Sequence, residues 1–381
     1  MPSSPRIVPR YLTELETPVP IVDLDRMAQN LDTMAAYAAV HGLALRPHVK
    51  THKATRIAAE QLRLGARGLT CATLHEMEVM SEVTDDLLLA HPPVGDPKIG
   101  HLLTMPGNVR LSVALDAPAA LLPLGLLARD HGREVRVFVE VDVGMRRVGV
   151  QNADEAVALA ERIVEFPTLT FGGLLFYPGH IRETPDMQGP ALRRLEQDIG
   201  AIINALDDAG LRPPVVSGGS TPAGFRMHEV AGITEIRPGT YVYNDRTTAE
   251  IGACAWEDCA LTVLATVVST AVPGQAVIDA GSKALGREPL PAGAELGFGA
   301  LLDRPEVTVM RMSEEHGVLD LGRTSWRPAV GERVRVVPNH VCMVVHSNDV
   351  IFGMRDDVVE TSWPVAARGR GYERLTLAGV R

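Results

Sequence analysis

The chain has 381 residues, 46% hydrophobic and 22% charged, which suits a globular protein with one α/β barrel of about 250 residues and a smaller domain. Its 37 Lys and Arg against 47 Asp and Glu leave a net charge of -10, which excludes the basic surface that a nucleic acid or an anionic membrane requires. No apolar run approaches the roughly 20 residues of a bilayer span, and no basic patch precedes an apolar signal core at the start, so the cytoplasm is the expected location. The four cysteines (Cys71, Cys254, Cys259 and Cys342) are too sparse for a disulfide framework and are expected as thiols.

Along the chain, a short run at 18–22 precedes a helical pattern at 25–41. Eight aliphatic or β-branched runs follow, at 44–50, 68–73, 86–92, 109–115, 135–142, 169–177, 214–218 and 234–237. Amphipathic stretches separate them, among them 52–65, 152–166 and 187–209, and several end at Gly as helix C-termini do. Eight parallel strands with crossover helices predict a (β/α)8 TIM-type barrel over 25–243. Beyond 244 the helical periodicity fades, and runs at 261–269, 276–279, 333–337 and 341–345 predict a mostly β domain. That domain is expected to comprise 1–24 and 244–381, with the run at 18–22 pairing into it.

In a barrel the reactive groups belong at the carboxyl ends of the strands. The first strand runs into Arg46-Pro47-His48-Val49-Lys50-Thr51-His52-Lys53, so Lys50 is either a lysine in the barrel mouth suited to Schiff-base chemistry or part of a basic loop facing solvent. The seventh strand leads into Gly218-Gly219-Ser220-Thr221 and the eighth into Gly239-Thr240-Tyr241, the two places where barrels bind phosphate. Glycines let backbone N–H groups approach an anion, hydroxyls add donors, and a helix beginning near Pro222 would point its positive end there. A lysine at strand one with a phosphate cradle at strands seven and eight suggests pyridoxal phosphate (PLP). In the β domain, His340 and Cys342 would share one face of an extended strand and converge on one divalent ion, although a bare His-x-Cys also fits ordinary core residues.

Pro47 to Lys53 (PHVKTHK), Val139 to Val150 (VEVDVGMRRVGV), the two phosphate turns and Pro338 to Cys342 (PNHVC) resemble the fold-type III PLP enzymes of the D-threonine aldolase and D-serine dehydratase family. The resemblance spans about residues 17–355 and implies a PLP-binding barrel of the alanine racemase type, a C-terminal β domain and a homodimer. It also implies that Lys50 holds the cofactor, that Arg147 and Tyr177 lie beside its ring, and that His340 and Cys342 bind the metal. Thiolate and imidazole favour zinc, while open coordination positions admit manganese or magnesium. Lys53 is expected on the following helix as a solvated or supporting charge. Where D-threonine aldolases carry a histidine a little farther along the strand-six loop, this chain has Arg182-Glu183, which leaves His180 as the candidate base for the β-hydroxyl.

Other groups are weaker. His75-Glu76-Met77-Glu78-Val79 lacks the second histidine of a metalloprotease helix, Cys254 and Cys259 lack a second pair for zinc, and Lys283 lies far from any phosphate signal. Ser313 to Gly317 is similar to a recurrent family segment and is assigned no catalytic role. The expected activity is a PLP- and metal-dependent lyase acting on D-3-hydroxy amino acids, led by cleavage of D-threonine to glycine and acetaldehyde. The alternative is a dehydratase converting D-serine or D-threo-3-hydroxyaspartate to a keto acid and ammonia. An amino-acid racemase and a non-catalytic PLP carrier rank below both.

Overall fold

The computed structural model describes residues 10–371, which fall into two units. One contains Leu31–Tyr241 and the chain from Ala366; the other contains the chain up to Asn30 and Val242–Val365. The division falls within helix α1 (Leu24–Val40). Residues 366–371 group with the barrel unit rather than the β unit, and the Ala367 N–H donates to the Lys53 carbonyl at 3.0 Å. Residues 1–9 and 372–381, assigned to the β domain from sequence, lie outside the described residues.

Strand β1 (Val19–Asp23) belongs to the β unit, and the eight strands of the barrel unit follow. They are β2 (Ala44–Leu45), β3 (Leu69–Cys71), β4 (Asp86–Leu89), β5 (Arg110–Leu115), β6 (Val135–Val141), β7 (Leu169–Phe176), β8 (Val216–Gly218) and β9 (Glu235–Ile236). All pair in parallel in the order β2-β9-β8-β7-β6-β5-β4-β3, and a parallel bridge from His48 to Thr70 closes the ring. The helices between them are α2 (Thr55–Arg63), α3 (Leu74–Met80), α4 (Asp96–Leu103), α5 (Leu121–Asp130), α6 (Ala153–Val164) and α7 (Gly189–Asp208). Local chemistry sets their limits: the Asn152 side chain accepts from the Glu155 N–H at 2.9 Å to cap α6, and α7 buries Leu192, Leu195, Ile199, Ile202 and Leu206 at three- and four-residue spacing.

Strand β2 is far shorter than the run at 44–50. Pro47 has no N–H for the ladder, and the chain turns into a 3-10 helix, Val49–Thr51, capped by His48. Lys50 therefore sits on a tight turn beyond the strand.

The barrel interior is apolar around Leu88, Ala114, Phe138, Leu175 and Val215, yet it also encloses a chain of charges. Arg46, 2% exposed, donates from Nη1 to Asp86 at 2.6 Å and from Nε to Glu235 at 2.9 Å. Glu235 accepts from Ser217 Oγ at 2.6 Å, and Ser217 Oγ accepts from Arg237 Nε at 3.0 Å.

In the β unit, β1 pairs antiparallel with β10 (Leu261–Ser269). Strands β11 (Gln275–Ile278), β12 (Gly299–Leu301), β13 (Arg304–Met312), β14 (Gly317–Asp320), β15 (Arg333–Pro338), β16 (Val350–Arg355) and β17 (Val358–Pro364) complete a sheet in the order β11-β14-β13-β12-β15-β10-β1-β16-β17. Two short helices precede β15, α8 (Arg246–Glu250) and α9 (Ser282–Leu285), and a third follows it. This third helix, α10 (Val341–His346), replaces the expected strand at 341–345: Val341, Val344 and Val345 are buried at helical spacing. Among the described residues no helix is long and apolar enough to cross a membrane.

Replacing Arg46 with Met strands Glu235 and Asp86 in the interior, and the expected loss of stability is about 3–5 kcal/mol. Urea unfolding checks it, with the double variant Arg46→Met/Glu235→Leu expected to recover most of that loss.

Candidate active site

The Lys50 turn is pinned from several directions. The His48 Nδ1 accepts the Lys50 N–H at 3.5 Å, while burial and the nearby cations Lys50, Arg237 and Lys53 hold the His48 ring well below its usual pKa, as a neutral acceptor. Lys53 adopts a left-handed backbone at φ 51 and is buried against Glu76, whose second oxygen accepts the Ala72 N–H at 2.6 Å. Lys53 is thus neither helical nor solvated: its pairing joins the turn to the end of β3. His52 is also buried, with a pKa pushed down to about 4 by that burial. Its Nδ1 accepts from the Ala54 N–H at 3.2 Å, so Nε2 carries the proton toward Gln61 Oε1, also 3.2 Å away. Gln61 in turn donates to the Tyr241 hydroxyl at 2.9 Å, and the Tyr241 N–H donates to Thr221 Oγ1 at 3.3 Å.

This chain of bonds leads directly into the two glycine turns. A Cβ at Gly239 would lie 2.9 Å from Thr51 Oγ1 and 3.0 Å from the His48 carbonyl, so only glycine lets the β9 turn pack on the Lys50 turn. A Cβ at Gly218 would run into the Phe176 ring, and Gly219 sits at φ +104. Ser220 and Thr221 are buried, and Thr240 begins a 3-10 turn. The helix expected near Pro222 is a 3-10 helix, Gly224–Glu229, so an anion here would be held mainly by the turns themselves.

Tyr177, just past β7, lies between two cations: Lys50 Nζ is 5.9 Å from its ring centroid and Arg147 Cζ is 5.2 Å away. Arg147 is exposed on the loop after β6, where the Asp142 carboxylate accepts the Gly144 and Arg146 N–H groups at 2.9 and 3.0 Å. His180 is exposed and packs over Gly144, where a Cβ would come within 3.1 Å of its ring. The barrel unit thus brings Lys50, Tyr177 and Arg147 into one cluster and packs the Lys50 turn on the Gly239 turn. His180 shares the Tyr177 loop.

Two buried residues here escaped the sequence reading. Arg237 donates to the Phe176 carbonyl at 2.7 Å and to Ser217 Oγ, and burial pushes its pKa down to about 10. Glu140 is 3% exposed, and its Oε2 has no hydrogen-bond partner among the described residues; burial raises its carboxyl above the ordinary range against the pull of Arg237 and Arg147. Their only signal was a charge inside an apolar strand run. The glycine cradle, the adjacent lysine and this orphaned carboxylate oxygen fit PLP, an anion with a carbonyl at one end and a polar ring between.

In the β unit, His340 is the extended N-cap residue of α10 and Cys342 lies in its first turn, so the pair meets across a helix start instead of along a strand. The ring and the thiol hydrogen-bond each other, and His340 Nδ1 bonds Asp245 Oδ2 at 2.9 Å. Asp245 is buried, caps α8 by accepting the Thr248 N–H at 2.9 Å, and also accepts the Val341 N–H at 3.3 Å. With Nδ1 so held, Nε2 would be the nitrogen offered to a metal, beside the Cys342 thiol, the arrangement of a ligand oriented from behind. Among the described residues no three His, Cys, Asp or Glu side chains form a ready cage, so His340 and Cys342 would leave coordination positions open. Lys283 is exposed and paired with Glu314 and Glu315 at 3.0 and 2.7 Å, outside this cluster.

Residues 22–247 match the family described as alanine racemase, N-terminal domain, and residues 260–354 the putative serine dehydratase domain. D-threo-3-hydroxyaspartate dehydratase of Delftia sp. (strain HT23) is 34% identical over 349 residues, covering 87% of this chain and 92% of that protein. The crystal structure of D-threonine aldolase from Filomicrobium marinum superposes with a TM-score of 0.88 at 33% identity, covering 96% and 98% of the two chains. A D-threo-3-hydroxyaspartate dehydratase mutant solved in a metal-free form gives a TM-score of 0.85 at 31% identity, covering 93% and 98%. With these matches along both units, the chain belongs to the D-threonine aldolase and D-serine dehydratase family of fold-type III PLP enzymes, on an alanine racemase-like barrel.

Proposed function

We propose that the chain is a PLP- and divalent-metal-dependent lyase of D-3-hydroxy amino acids, of the D-threonine aldolase type. The observation that carries the reading is the packing of the Lys50 turn on the Gly239 turn, with Tyr177 facing both Lys50 and Arg147. PLP, when bound, supplies a ring that spreads the electron pair left on Cα as a substrate bond breaks. Lys50 Nζ would hold the cofactor carbonyl, the Gly218–Thr221 and Gly239–Tyr241 turns would hold the phosphate, and Tyr177 with Arg147 would orient the ring. His340 and Cys342 would hold zinc or manganese, which supplies a Lewis acid.

In aldol cleavage the Cα–Cβ bond would break as the β-hydroxyl proton passes to His180, releasing the aldehyde, and Cα would then take up a proton from solvent to give glycine. The second reading, dehydration, has Lys50 take the Cα proton while hydroxide leaves Cβ; hydrolysis then gives a keto acid and ammonia. It is favoured by the 34% identity to the Delftia dehydratase.

Protein reconstituted with PLP is expected to show the visible absorbance of a protonated Schiff base, absent in Lys50→Ala. D-threonine is expected to give glycine and acetaldehyde, suppressed by a chelator, and His180→Ala to lower that kcat about 10²–10⁴-fold. Keto acid and ammonia as the products would assign the dehydratase branch instead. Gln61→Leu leaves the His52 N–H and the Tyr241 hydroxyl unpaired at a cost of about 1–3 kcal/mol. Fluorescence titration of that variant is expected to show PLP affinity about tenfold weaker, equivalent to about 1.4 kcal/mol.

A further inference from the structure

Helix α3 brings His75 to a cavity that the proposed lyase chemistry leaves unused. The cavity lies past the carboxyl ends of β3 and β4 and has a volume of about 150 Å³. A space of that size admits a molecule as large as benzene, so it suits a small ion or metabolite and not a drug-sized ligand. Its lining includes His75, His91 on the loop after β4, Lys98 and His101 of α4, and Arg370. None of the described residues that line it is acidic, in a chain whose net charge is -10.

The acids on α3 are already engaged. Glu76 is taken by Lys53 and the Ala72 N–H. Glu78 is held at both oxygens, with His101 Nε2 at 2.7 Å from Oε1 and His75 Nδ1 at 3.3 Å from Oε2. Lys98 and Arg370, by contrast, are exposed and have no side-chain partner among the described residues. Arg370 is carried there by the 366–371 segment, which is docked at two points: the Ala367 N–H donates to the Lys53 carbonyl at 3.0 Å, and Gly371, at φ 71, packs so closely on His75 that a Cβ would come within 2.6 Å of Nδ1. The cavity is thus walled on one side by a segment tied to the Lys50 turn, and it presents two uncommitted cations from separate elements.

We propose that this cavity is a binding site for a small dianion, inorganic phosphate or a short dicarboxylate, separate from the glycine turns after β8 and β9. A recess lined by one sign of charge concentrates the opposite ion, and ammonium and guanidinium groups bond oxyanions more strongly than neutral donors do. Two negative charges match the two cations, so a dianion bridges Lys98 on α4 and Arg370 on the 366–371 segment. Bridging them holds that segment against the Lys53 carbonyl and so ties occupancy of the cavity to the turn that carries Lys50. Binding of the anion does not depend on the cofactor reading, because none of its ligands belongs to the proposed PLP site.

The test titrates PLP-loaded protein calorimetrically with inorganic phosphate and, separately, with succinate, in about 0.15 M NaCl to screen scattered surface charge. Expected is saturable binding at a single site per chain, weakened about tenfold or more by Lys98→Ala and by Arg370→Ala and largely restored in Arg370→Lys. Whichever anion binds more tightly identifies the source as phosphate or dicarboxylate. Amide exchange at Ala367 is expected to slow when the anion binds the wild type and to stay unchanged in Arg370→Ala. No saturable binding of either anion, or binding that both alanine variants leave intact, would overturn the proposal, and binding without any change at Ala367 would overturn the tie to the Lys50 turn. Protein that takes up no PLP would sink the cofactor reading alone, since the same variants still separate anion held in this cavity from anion held by the glycine turns.

Discussion

Arg46 lies inside the barrel with Asp86 on one side and Glu235 on the other, and a charge placed there is tolerated only while both carboxylates stay bonded to it. Burial opposes the charge on Arg46, and the two carboxylates more than offset it, holding the guanidinium above its usual pKa. Strand β2 is only Ala44–Leu45, with few ladder bonds to place it, so this pair of ion contacts fixes where the first strand ends. The same guanidinium accounts for Gly68, where a Cβ would meet Arg46 Nη1 and the Asp86 backbone. Whatever the chain does at Lys50 begins four residues after a residue that has no freedom to move.

From Arg46 the constraint travels two ways. Through Glu235 and Ser217 it reaches Arg237 and the Phe176 carbonyl, tying β9, β8 and β7 together beside the two glycine turns. Through Pro47 it passes to the Lys50 turn, which Lys53 anchors to β3 and His52 anchors, by way of Gln61, to Tyr241. The two proposed ends of the cofactor site are therefore set relative to each other by buried polar bonds, whose partners are costly to leave unpaired. Glycine completes the arrangement at 239, where any side chain would force the two turns apart.

The parts of this arrangement legible in the sequence were those with a period. Eight runs of aliphatic and β-branched residues marked eight strands, and Gly-rich stretches marked the tight turns after the last two, because strand burial and tight turns leave regular traces. Short runs were less readable: Val341, Val344 and Val345 suit a strand as well as a turn of helix, and the second outcome moved His340 and Cys342 to a helix start. Polar partners across the barrel leave no periodic trace at all. Nothing local to Gln61, Glu76 or Glu140 tells which residue, distant in the chain, each one faces, and for the same reason the sequence left Lys53 as either a solvated or a supporting charge.

The choice between the two lyase branches turns on which proton acceptor is held more firmly. On the proposed reading Lys50 serves both branches, and its turn is fixed on two sides, so removal of a proton from Cα would draw on a firmly held group. His180 is exposed between the buried Gly179 and Ile181, over a glycine in positive φ, where the Arg182 guanidinium bonds the Gly179 carbonyl at 2.9 Å and Gly179 itself leaves room for the Tyr177 ring. On that reading aldol cleavage would depend on the geometry of the Tyr177–Arg182 loop, and dehydration on the barrel turn that carries Lys50.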